Sequence, residues 1–89
     1  MSSMIFTVRD NKADAYLPPF YMPNEQVAIR AMDQCLRDPN HGFALNPEDY
    51  ALYLLGEYDE KTGKFTLLDG PQHMVNLRDL ANYEPESGE

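Results

Sequence analysis

Three kinds of side chain in this sequence could do chemistry: a cysteine with two histidines, a few neighbouring carboxylates, and an excess of tyrosines. Cys35, His41 and His73 are the set from which a metal site would be drawn. Structural zinc sites use paired thiols at short spacing, and one Cys with two His at unrelated spacings does not match that pattern. No metal and no cofactor is therefore expected. Asp10 with Asp14, or Asp59 with Glu60, could be read as an acid–base pair, but both pairs sit in turn-forming stretches where Asp-like residues are needed locally. His41 beside Gly42 reads as a turn residue rather than a base. Ser2, Ser3 and Ser87 have no histidine partner fixed near them, so a nucleophilic site has no support. No glycine has another within four residues, which removes the phosphate-cradling loops. The expectation is a chain that is not an enzyme.

Binding chemistry is better represented. Tyr16, Tyr21, Tyr50, Tyr53, Tyr58 and Tyr83 are more phenols than a core of this size must hide. Tyrosine suits an interface because its ring is apolar while its hydroxyl stays hydrogen-bonded. Tyr16, Tyr21, Tyr53 and Tyr58 are the candidates for protein contact. The plainer reading makes them cross-strand partners on a sheet. The same rings could stack on single-stranded bases if cations lined a groove beside them. Lys12, Lys61 and Lys64, all in turns, are the candidates for that role if they converge.

The elements that must position these residues are organised around one helix. Over residues 24–37, Val27, Ala28, Ile29, Ala31, Met32, Cys35 and Leu36 fall on one broad side, and Arg30, Asp33, Gln34 and Arg37 on the other. Asn24 is suited to cap the first turn and Pro39 stops the helix. Cys35 on the apolar side is expected to be a buried thiol. Before the helix, Met4–Arg9 alternates as a first strand, and residues 13–22 run extended. Pro18 and Pro19 confine that extended segment to a sheet edge or a covering loop. After the helix, Asn46-Pro47-Glu48-Asp49 predicts a helical turn with Asn46 as its cap. Residues 51–68 predict a hairpin, Ala51–Tyr58 paired with Phe65–Leu68, with Gly63 in the loop and Gly56 at a bulge or a close backbone approach. Asp69-Gly70-Pro71 reads as a further turn, and residues 73–80 fit a last strand or a helical turn equally.

The fold class is therefore α+β: a small antiparallel sheet of three to four strands packed under one main helix. Residues 1–81 form a single domain and 82–89 an acidic, flexible tail. The formal net charge is -8, from 15 acidic and 7 basic side chains, which disfavours non-specific binding to polyanions and suits a basic partner. The start Met-Ser-Ser-Met-Ile-Phe lacks the basic and apolar regions of a signal peptide, and no apolar run approaches the roughly 20 residues of a membrane span. An intracellular chain without membrane contact is expected.

Phe6-Thr7-Val8-Arg9-Asp10, Lys12-Ala13, Ala15-Tyr16 and Pro19-Phe20 form the first part of a longer pattern. Ala28-Ile29-Arg30-Ala31, Asp38-Pro39, Pro47-Glu48-Asp49-Tyr50, Leu55-Gly56-Glu57-Tyr58-Asp59 and Thr62-Gly63-Lys64-Phe65 extend the pattern. Together they resemble the small non-structural protein of gokushovirus-type phages (Microviridae), tailless viruses with a circular single-stranded DNA genome. The likeness runs from Met4 to about Leu80, and Met32 stands where Phe is expected. It implies a protein of the host bacterial cytoplasm, not part of the virion, serving viral DNA replication or genome packaging. It carries no catalytic or binding residues over to this chain.

The leading reading is a non-enzymatic accessory protein acting by contact with the phage replication initiator, a capsid precursor or a host replication protein. Its alternatives are a direct single-stranded DNA binder and a small scaffolding protein. A homodimer is expected, because one helical layer with Leu52, Tyr53 and Leu54 close together leaves one sheet face short of cover. The edge formed by residues 13–20 is a second possible contact, limited by its two prolines.

Overall fold

A computed structural model of the chain describes residues 2–81. The elements run β1 (Ser2–Asp10), β2 (Ala15–Tyr16), β3 (Phe20–Met22), α1 (Glu25–Arg37), α2 (Gly42–Leu45), a 3-10 turn (Pro47–Asp49), β4 (Tyr50–Asp59), β5 (Lys64–Asn76) and α3 (Leu77–Ala81). All pairings are antiparallel, in the order β2-β1-β4-β5, and β3 shares with β2 the outer edge of β1. The α+β reading holds, with five strands rather than three to four. The stretch 82–89, expected as an acidic tail, lies outside the described residues.

One face of this sheet carries the core. Phe6 and Val8 of β1, Leu52 of β4, Ala28 and Met32 of α1, and Leu77 at the start of α3 are buried against one another. Alternation explains the choice, since Phe6 lies opposite Phe20 and Leu54, and Val8 opposite Leu52, so these side chains share one face. Leu54 packs at the rim of that core with Met4, Phe20 and Met22. Leu52 and Leu54 therefore face the helix, and of the three residues expected to leave a sheet face short of cover only Tyr53 lies on the other face.

Helix α1 begins where Asn24 accepts a hydrogen bond from the Val27 N–H at 2.9 Å, and its last turn carries an Arg37–Asp33 ion pair at 2.8 Å. Cys35 is only half-buried, because it lies beside rather than beneath the stripe of Ala28 and Met32. Asn46 does not cap with its side chain. Instead its backbone carbonyl accepts from the Asp49 N–H at 3.0 Å. His41 is the capping residue nearby, its Nδ1 accepting from the Phe43 N–H at 3.0 Å.

The hairpin departs most from expectation. Residues 64–67 pair with 56–59 as anticipated, but 51–54 pair with 72–76. Leu68, Asp69, Gly70 and Pro71 lie between the pairs Gly56↔Leu67 and Leu54↔Gln72, so the anticipated turn is an irregularity inside one long strand. Pro71 is tolerated because β5 is an edge strand. Beyond it residues 73–76 are strand and 77–81 helix, so both readings of 73–80 apply to different halves.

Candidate docking face

The face of the sheet turned away from α1 is built by the odd-numbered residues of β1 and what lies opposite them. Thr7 faces Tyr53, Arg9 faces Tyr16 and Ala51, Ile5 faces Tyr21 and Gly56, and Ser3 faces Tyr58. Register on β5 adds His73 opposite Tyr53 and Phe65 opposite Tyr58. The rings meet in two rows. Tyr16 contacts Tyr53 edge-on at 5.5 Å, and Tyr53 contacts His73 edge-on at 5.4 Å. Tyr21 contacts Tyr58 edge-on at 5.9 Å, and Tyr58 contacts Phe65 at 4.9 Å. Thr7 is four residue steps from Ser3, so the rows lie roughly 13 Å apart along the strands.

Between and beneath these rings the face is closed. Ile5, Thr7, Ala51 and Gly56 are buried although no helix covers them. Thr7 satisfies its hydroxyl by donating to the Leu17 carbonyl oxygen at 2.7 Å, which draws the segment after β2 against β1. At Gly56 the backbone of β5 leaves no room for a side chain. A Cβ added there would stand 2.3 Å from the Thr66 carbonyl oxygen and 2.8 Å from the Leu67 Cα. The extra residue Leu55, opposite neither Ile5 nor Phe6, makes a bulge in β4 between the two rows.

The outer ends of both rows are open. Tyr16 is 47 % exposed, Tyr21 48 % and Phe65 51 %, while Tyr53 and Tyr58 are half-buried between them. Tyr21, Tyr58 and Phe65 line, with Ser3, Glu60 and Gly63, a shallow cleft of ≈ 420 Å³. Ser3 Oγ donates to Glu60 at 2.5 Å at its mouth. The neighbouring Asp59 carboxyl is held below its usual range, chiefly by the hydrogen bond it accepts from the Lys61 N–H at 2.9 Å.

All four tyrosines singled out from the sequence thus share one face, in two pairs. Of the other two, Tyr50 lies on the core side against Phe43, at 4.7 Å, and Tyr83 lies outside the described residues. His73 and Phe65 were missed as row members. Phe65 was legible from the hairpin alone, but His73 reaches the row only because Met74 is skipped in the pairing.

The lysines do not converge. Lys61 and Lys64 sit at the β4–β5 hairpin, beside the start of β1, whereas Lys12 follows its end. Nine residues of strand separate those ends, about 27 Å. Near the first row the cation is Arg9, whose guanidinium lies 5.6 Å from the Tyr16 ring centre. Arg9 is already held by Asp14 and by Asn11, so its charge is locally neutralised. Among the described residues no three His, Cys, Asp or Glu side chains group closely enough to hold a metal ion, and no helix is long and apolar enough to cross a membrane.

A family model described as "Phage ORF5 protein" matches residues 3–88. The chain belongs to the phage ORF5 protein family. The match includes every residue of the two aromatic rows, so the face belongs to the family region and not to an appended segment. No match was found among curated proteins or among solved structures. As a phage ORF5 protein the chain is a phage accessory protein.

Proposed function

We propose that this phage ORF5 protein is the non-structural protein of a gokushovirus-type phage of the Microviridae. On this reading it is a non-enzymatic adaptor of viral DNA replication or genome packaging, working in the host bacterial cytoplasm and absent from the virion. It acts by protein contact, and the aromatic face is where its partner docks. The observation that carries this reading is the pair of aromatic rows on a helix-free face whose neighbouring cation, Arg9, is already neutralised. Aromatic side chains carry binding energy at protein interfaces out of proportion to their number. A surface that was to track a phosphate backbone needs a line of cations beside its stacking rings. Here the lysines are split between opposite ends of the sheet, and the chain carries a net charge of -8. That charge favours a basic surface on the replication initiator, a capsid precursor or a host replication protein.

The test is titration of labelled single-stranded and double-stranded DNA at two salt concentrations, with co-purification of the initiator and the capsid precursor in parallel. The expected result is no DNA binding at micromolar protein, and capture of one of the two proteins that Tyr53→Ser and Tyr58→Ser abolish. Tight, salt-sensitive preference for single strands would overturn the reading and make the rings a base-stacking platform.

A further inference from the structure

The two edges of this sheet are not alike. On the β1 side the edge is broken into β2 and β3, with Pro18 and Pro19 between them, and neither segment exceeds three residues. On the other side β5 runs for thirteen residues, and among the described residues it pairs with β4 alone. Its first part, residues 64–67, is regular, and 64–68 is free of proline and glycine. An edge segment without proline, glycine or bulge is a template for another strand. Its exposed side chains agree, since Phe65 is 51 % exposed and Leu67 64 %. Phe65 and Leu67 lie opposite Tyr58 and Gly56, so both stand on the aromatic face.

We infer that two copies of this chain associate through β5, antiparallel about a two-fold axis at Thr66. Thr66 is the centre of the segment 64–68, and an axis there keeps the faces in register. A two-fold axis normal to a sheet keeps each face continuous, so outward residues of one copy must oppose outward residues of the other. With Thr66 on the axis, Phe65 of each copy opposes Leu67 of the other, twice, and the two Thr66 side chains meet on the opposite face. Aromatic–aliphatic and Thr–Thr pairs are both favourable across strands. A second copy is the occupant that this self-complementary pairing fits, and the charges of the strand itself do not oppose it. The chain is strongly acidic as a whole, but β5 bears only Lys64 and Asp69 as charged residues, a balanced pair. Along this strand two molecules of net charge -8 can meet with no like charges apposed in the ladder. The pairing also joins the Tyr21–Tyr58–Phe65 rows of the two copies into one aromatic surface across a sheet of ten strands. It requires no partner at the tyrosines, so it stands or falls apart from the adaptor reading.

A pairing this short belongs at the weak end of interfaces, so association is read by sedimentation equilibrium up to about 0.5 mM chain. The wild-type chain should rise with concentration from 10.2 kDa towards twice that mass. Phe65→Lys and Leu67→Glu, both at exposed positions, should each remain monomeric with unchanged far-ultraviolet circular dichroism. Mixed in equal amounts they should associate, because the introduced Lys and Glu face each other across the two-fold. A wild-type chain that stays near 10.2 kDa throughout would overturn the inference. So would variants that associate as well as the wild type, or a mixture that remains monomeric.

Discussion

Gly56→Ala is the substitution for which the structure makes its strongest demand. The new methyl carbon would be placed 2.3 Å from the Thr66 carbonyl oxygen and 2.8 Å from the Leu67 Cα, both backbone atoms. Real Cβ atoms essentially never come closer than 3.0 Å, so β4 and β5 must separate by about 0.7 Å at this point. No flexible side chain can give way instead. Overpacking that forces a backbone shift costs roughly 1–3 kcal/mol, and the upper end applies where a buried ladder must open. A chain of 89 residues has about 4–13 kcal/mol of total stability, so a loss near 3 kcal/mol is a large fraction of it. At this size it lowers Tm by roughly 12–24 °C. The assay is urea and thermal unfolding followed by circular dichroism, with two internal comparisons. Gly70→Ala meets nothing within 4 Å and should change stability by less than about 0.5 kcal/mol. Gly63→Ala also meets nothing, but its φ of 72° makes any side chain unfavourable, a loss of about 1 kcal/mol. The order Gly56, Gly63, Gly70 is the prediction. A Gly56→Ala chain within 1 kcal/mol of wild type would refute the packing of β5 on β4 described here.

Leu77 is wholly buried at the start of α3, so Leu77→Ala should cost about 3 kcal/mol in urea unfolding. Asp59 has a folded pKa below its unfolded value of 3.8. Its contribution to stability is therefore complete above the unfolded pKa and lost as pH falls through the folded one; carboxyl titration by NMR should give a midpoint under 3.8 in the native chain that returns towards 3.8 in urea. Tyr21→Ala should change stability by less than about 1 kcal/mol, because the ring is 48 % exposed, whereas Tyr53→Ala should cost about 2 kcal/mol by uncovering Thr7 and Ala51. On the adaptor reading both weaken partner capture by about tenfold or more, measured by titration calorimetry with the partner once identified.

The parts of this fold that were legible in the sequence are those fixed by local chemistry. Helix α1, its Asn24 cap, the Gly63 turn and the alternation of β1 each depend on residues a few positions apart. Gly56 was also legible, because a glycine inside an apolar strand has few explanations other than a bulge or a close approach. What failed depended on pairing at long range. Asp69-Gly70-Pro71 has turn composition, yet Gln72–Asn76 returns to β4 and converts the turn into an irregularity within a strand. Lys12, Lys61 and Lys64 all occupy turns, and only the antiparallel direction of β1 and β4 reveals that those turns lie at opposite ends. His73 joined the first aromatic row through a skipped residue that no periodicity announces.

The tyrosines were open to two readings, as sheet partners or as docking groups, and the structure makes these compatible. Ile5, Thr7 and Ala51 face away from the helix and are nonetheless buried, with Tyr53 and Tyr58 half-buried among them. The inner rings therefore serve the fold, as the second cover of a sheet that has only one helical layer. Tyr16 and Tyr21, at the outer ends, stay about half exposed while still contacting those inner rings. A ring held edge-on by a packed neighbour has already lost much of its rotational freedom, so a partner that covers it forfeits less entropy on binding. On the adaptor reading, a small domain that cannot cover both sheet faces with helices gains a preorganised contact surface from the same residues that close its second face. That is why the four tyrosines must be separated by their stability cost before any of them is assigned a binding role.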